Sequence, residues 1–121
     1  MNKEFIPYEE ALALKELGFD TQEHLGWYNP EKVLHNYVCA DAMLAPLYQQ
    51  AFRWFREKYN YHYGITYTDP ADAQSQETIK YLGGIIYFPH GDFYKIESRD
   101  ISYEEVELAC LRKLIEIVKE R

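Results

Sequence analysis

Apolar positions recur along the chain with two different periods, and each change of period marks an element. Over Pro7–Leu17, the residues Tyr8, Ala11, Leu12 and Leu14 fall at near-helical spacing, which predicts a first helix. Pro7 suits its first position, Glu9 and Glu10 suit the positive end of its dipole, and Gly18-Phe19 reads as a Schellman stop. Between Asp20 and Asp41 the pattern fades. DTQEHLGWYNPEK carries Gly, Asn and Pro and reads as loop. Val33–Ala40 alternates over only a few residues and is read as a short strand, although so short an alternation is ambiguous.

The helical period returns after Pro46, which again suits a first helical position. Leu47, Ala51, Trp54, Phe55 and Tyr59 form an apolar stripe widened by Tyr48 and Phe52, and Asn60 ends it. Three β-patterned segments follow, at Tyr61–Thr68, Tyr81–Phe88 and Phe93–Ser98. A polar loop, ADAQSQET, follows the first of them, and Pro89-His90-Gly91-Asp92 forms a hairpin turn before the third. Gly83-Gly84 weakens the middle strand and suggests a bulge. The segment Ile101–Arg121 is a helix with Ser102 as N-cap and Glu105 completing a capping box. Ile101 and Val106 form a hydrophobic staple. Leu108, Leu111, Leu114, Ile115 and Val118 line one face, extended by Cys110 and Ile117.

These elements predict an α+β fold in one domain over residues 1–121. A three-stranded antiparallel meander would carry helices on one face, giving an α-β-β-β-α core preceded by an extra N-terminal helix. That order is similar to the double-stranded RNA-binding domain, and SYEEVELACLRKLIEIV resembles that family's closing helix. The family places phosphate-binding lysines where this chain has Glu104 and Glu105. The resemblance therefore implies the topology and not the function.

Composition changes the picture in three ways. The formal charge is −7, which disfavours binding to nucleic-acid backbone and favours solubility. Aromatics are 17% of the chain and twelve of them are Tyr, a residue suited both to sheet packing and to interfaces. MNKEFIPYEE lacks the apolar core of a secretory signal and no run approaches a membrane span, so a cytoplasmic protein with reduced Cys39 and Cys110 is expected.

No catalytic, cofactor or metal motif stands out. His24, His35, His62 and His90 are each alone in their segments, and no paired-ligand spacing or nucleophile elbow occurs. Gly83-Gly84 lacks the lysine and helix of a phosphate loop. Asp69, Asp72 and Glu77 read as solvated loop charge rather than an acid–base pair. Arg53 and Arg56, three apart with Gln49 and Gln50 nearby, are either a solvated helix face or a contact for an acidic partner or nucleic acid. Trp27 and Tyr28 either cap the core or anchor an interface.

Three stretches, FIPYEEALALKELGFD, LAPLYQQAFRWFREKY and YEEVELACLRKLIEIVKE, resemble a family of small bacteriophage and prophage proteins of gut and marine bacteria. No activity is assigned to that family, so no catalytic residue is carried over. The resemblance implies an accessory phage or mobile-element protein that binds a host or phage protein in the host cytoplasm. The alternative is a nucleic-acid-binding protein on the scaffold just described. An open sheet also leaves edges through which a homodimer can form. Leu111→Asp, which buries a charge, should abolish cooperative thermal unfolding; a variant melting like the parent would contradict the closing helix.

Overall fold

The computed structural model describes residues 4–21, 23–68, 81–99 and 102–121. Helix α1 spans Tyr8–Glu16. Pro7 stands one position earlier than expected, as the N-cap, where its carbonyl accepts from the Ala11 N–H at 2.9 Å. The helix closes with a Schellman pair: Phe19 N–H donates to the Leu14 carbonyl and Gly18 N–H to that of Lys15, both at 3.0 Å.

The stretch with the weakest sequence pattern holds a small antiparallel sheet. Its central strand β1 (Trp27–Tyr28) pairs with β2 (Leu34–His35) on one side and β3 (Met43–Leu44) on the other. The strand expected over Val33–Ala40 is thus confined to two residues. Turns with positive φ at Lys32 and Asp41 precede β2 and β3 respectively. Asn29 organises the first turn: its Oδ1 accepts from the N–H groups of Glu31 and Val33, both at 2.9 Å. The Tyr28 hydroxyl donates to the Ile6 carbonyl at 2.6 Å, while Ile6 N–H donates to the Pro46 carbonyl at 2.9 Å. The segment before α1 is thereby bound to both the small sheet and the start of the next helix.

Helix α2 spans Tyr48–Tyr59, with Leu47 as N-cap and Pro46 outside the helix. A leucine cannot cap through its side chain. The Gln50 Oε1 instead accepts from the Leu47 N–H at 2.9 Å. The buried residues are Tyr48, Ala51, Phe52 and Phe55, with Trp54 and Tyr59 half-buried, so the inner face is rotated toward Tyr48 and Phe52. Asn60 ends the helix in the left-handed conformation, φ 58°.

Strands β4 (His62–Thr68), β5 (Tyr81–Tyr87) and β6 (Phe93–Arg99) form the expected antiparallel meander with β5 central. Gly91 takes φ 96° in the turn between β5 and β6, where a side chain would be strained. Helix α3 spans Tyr103–Lys119. Its cap is only partly as expected. Ser102 Oγ accepts from the Glu105 N–H at 3.2 Å, but the Glu105 carboxylate accepts from the Ser102 hydroxyl at 3.3 Å. Ile101, the polar loop and its residues Asp69, Asp72 and Glu77 lie outside the described residues.

Helices α2 and α3 pack on the same face of the meander. Phe52 of α2 stacks on Tyr63 of β4 at 3.7 Å between ring centroids, and Tyr63 is paired across the sheet with fully buried Ile86. Val106, Cys110, Leu111, Leu114 and Ile115 supply the buried face of α3, whereas Leu108 and Val118 lie at its margin. The pair Gly83-Gly84 makes no bulge, and registration with β4 and β6 is continuous through it. Gly84 serves close approach instead. A Cβ there would collide with Cys110 Sγ and stand 3.5 Å from Val106 Cγ1. Gly84→Ala should destabilise the fold by about 1–3 kcal/mol, and the double variant with Cys110→Ala should recover part of that loss in chemical denaturation. Additive losses would show that the two positions do not share this contact.

Candidate functional site

The polar side of α2 forms one wall of an open groove of about 390 Å³. Gln50, Arg53, Trp54 and Glu57 contribute from the helix, and Asp20, Thr21 and Glu23 from the connection after α1. Gln50 holds the two walls together. Besides accepting from Leu47, its Nε2 donates to the Glu23 carbonyl at 2.8 Å. Trp54 is fixed between the Phe19 ring, edge-on at 5.6 Å, and the Lys58 ammonium, 5.0 Å from the ring centre. Arg53 is exposed beside it.

The four residues singled out by sequence separate into different surroundings. Arg53 joins the groove. Arg56 is also exposed but does not line it; its charge acts on the Tyr63 hydroxyl. Trp27 is half-buried on β1, edge-on to the His24 ring at 6.5 Å. Tyr28 is 8% exposed, with its ring edge-on to Tyr8 and its hydroxyl on the Ile6 carbonyl, so its side chain is engaged in the core. Trp54, which joins Arg53 in the groove, reads from sequence only as part of the buried stripe.

A second concavity, of about 260 Å³, was not foreseen from the sequence. Glu4, Leu47, Tyr48, Gln49, Tyr103, Glu104 and Glu107 surround it, where the segment before α1 meets the first turns of α2 and α3. Along α3, Glu107 shows nothing but helical polar spacing. Only the fold brings it to Glu4 and Tyr48. Burial pushes the Tyr48 hydroxyl up to about 12, helped by Glu107 and Glu10 and opposed by Arg112. Glu107 is itself raised above the ordinary carboxylate value by burial and then by Glu104. Deeper in, burial and then Glu107 push the Cys110 thiol up to about 11, which leaves it unreactive near neutrality.

Among the described residues, no three His, Cys, Asp or Glu side chains are gathered closely enough to hold a metal ion, and no helix is long and apolar enough to cross a membrane. The buried hydroxyl and thiol set an alkaline limit on stability. Each ionises more readily in the unfolded chain, so the stabilisation is complete below the unfolded value and disappears as pH rises through the folded one. For Tyr48 that window runs from 10.0 to about 12. Tyr48→Phe should flatten the fall in denaturation midpoint across this window; an unchanged slope would contradict the assignment. No family model matches the chain, and no curated protein or solved structure matches it.

Proposed function

We propose that the chain is a non-enzymatic accessory binding protein of phage or mobile-element origin that engages a host or phage protein in the host cytoplasm. The observation that carries the binding role is the α2 groove, in which an exposed guanidinium stands beside a clamped indole. Arg and Trp are among the side chains that most often dominate protein–protein contacts, and an indole already held by its neighbours has less side-chain freedom to lose on binding. Asp20, Glu23 and Glu57 surround Arg53, so the groove is polar and mixed in charge. Such a lining suits a polypeptide segment better than a phosphate backbone. The phage setting rests on the resemblance of the three sequence stretches.

The α-β-β-β-α arrangement favours a second reading, a nucleic-acid-binding protein on this scaffold, to which Arg53 and Arg56 would contribute. Glu104 and Glu105, both exposed at the start of α3, oppose it. Affinity capture from host lysate should recover a specific protein partner, and Arg53→Glu should reduce that recovery by about tenfold, the scale of a dominant interface residue. Recovery unchanged by Arg53→Glu, or no specific partner, would refute the groove as the contact. A salt-sensitive mobility shift with RNA or DNA would favour the second reading instead.

A further inference from the structure

Strands β4 and β6 end the order of the meander on either side of β5, so each leaves one edge without a neighbouring strand. The two edges are not alike. Strand β4 carries Gly64 in its first half, which weakens it as a pairing surface. Strand β6, FYKIESR, runs for seven residues without Gly or Pro, and its register with β5 has no bulge. Phe93 is 58% exposed, Tyr94 is 43% exposed and Lys95 is exposed, so neither face of this edge is covered there. A long, regular and apolar edge of this kind is a template for another strand.

The hairpin decides which backbone groups face outward. Phe88 N–H donates to the Asp92 carbonyl at 2.9 Å, so these two residues form a hydrogen-bonded pair. Such pairs alternate along an antiparallel ladder. Tyr94, Ile96 and Ser98 therefore bond to β5, while Phe93, Lys95, Glu97 and Arg99 turn their N–H and C=O groups away from it. Among the described residues, no backbone bond from a turn, loop or cap returns to those outward groups.

The order of charges along β6 selects the strand that fits it. A second copy brought up by a twofold axis perpendicular to the sheet runs antiparallel and keeps the faces together. Opposed residues must then belong to the same face. With Ile96 opposite its counterpart, Lys95 stands opposite position 97, a glutamate, and Phe93 opposite position 99, an arginine. The axis repeats each pair. The Phe93 ring already accepts a cation, with Lys95 Nζ 5.9 Å from its centre. A slip of two residues in one direction sets Lys95 against Lys95. The same slip in the other direction sets Glu97 against Glu97 and Lys95 against Arg99. Like charges directly opposite destabilise a sheet, so of these three registers the one centred on Ile96 is favoured.

We infer that two copies of this chain associate through β6, paired antiparallel and centred on Ile96. The outward backbone groups of Phe93, Lys95, Glu97 and Arg99 bond across the axis, and the two meanders become one continuous sheet. The contact is separate from the Arg53 groove, none of whose lining residues belongs to β6. It does not depend on what that groove binds.

Sedimentation equilibrium of the full chain tests this contact. The parent should dimerise reversibly as its concentration rises. Lys95→Glu sets two carboxylates opposite each other on both sides of the axis, and Glu97→Lys sets two ammonium groups there. Each alone should weaken the dimer by about tenfold. Mixed together, the two variants should associate about as well as the parent, because each copy then meets the opposite charge. The double variant Lys95→Glu/Glu97→Lys should recover the affinity by itself. A parent that stays monomeric at millimolar concentration would overturn the inference. So would a dimer that neither single variant weakens, which would place the contact elsewhere, or weakened variants that fail to recover both on mixing and in the double variant. Dimerisation is read on the purified chain alone, so its outcome is distinguishable from that of lysate capture through Arg53.

Discussion

The spacing between α3 and β5 is set where Cys110 sits over Gly84, and most of the architecture depends on that spacing. With no side chain on Gly84, the helix settles low enough for Val106, Leu111 and Leu114 to become fully or almost fully buried together with Ile86. Each such aliphatic side chain contributes roughly 1.5–3 kcal/mol relative to exposure, so a helix held even slightly higher would forfeit several contacts at once. Helix α2 then packs beside α3 on the same face, and Phe52 reaches Tyr63. The concavity lined by Tyr48 and Glu107 is the remaining space between the first turns of the two helices.

An unbroken file of five rings, two of them tyrosines, runs along one margin of the core. Phe19 meets Trp54, Trp54 meets Tyr59, Tyr59 stacks on Tyr61 and Tyr61 meets Phe88, with centroid distances between 5.4 and 5.7 Å. The file runs from the end of α1 across the end of α2 to the hairpin between β5 and β6. Arg121 covers Tyr59 at 5.0 Å from the outside. Tyrosine suits such a margin because its ring packs while its hydroxyl stays in water.

How much could be read from the sequence follows from how local each stabilising device is. The helices and the meander announce themselves because period, caps and turn residues all lie within the element concerned. The small sheet does not. Two-residue strands leave no period to detect, and besides their backbone pairing β1–β3 are held by scattered contacts of Asn29, Tyr28 and Ile6 that have no pattern. Gly84 was visible as an irregularity, but its cause is a residue on another element. Arg53 was legible as an exposed cation, yet its neighbours Asp20 and Glu23 come from a loop. Glu107 was hidden entirely, since Glu4 and Tyr48 reach it only through tertiary structure.

The ion pair between Glu10 and Arg112 joins residues 102 positions apart and fastens α1 to α3. During synthesis, α1, α2 and the meander leave the ribosome before the helix that covers them. Until α3 arrives, Ile86 and the inner faces of α1 and α2 have no complete cover, and the chain presents an apolar surface to whatever lies nearby. The Glu10–Arg112 pair can form only once almost all of these 121 residues have been made. For a nascent copy, the interval before α3 docks is therefore when a chaperone, or another unfinished copy, competes most directly with the native partner.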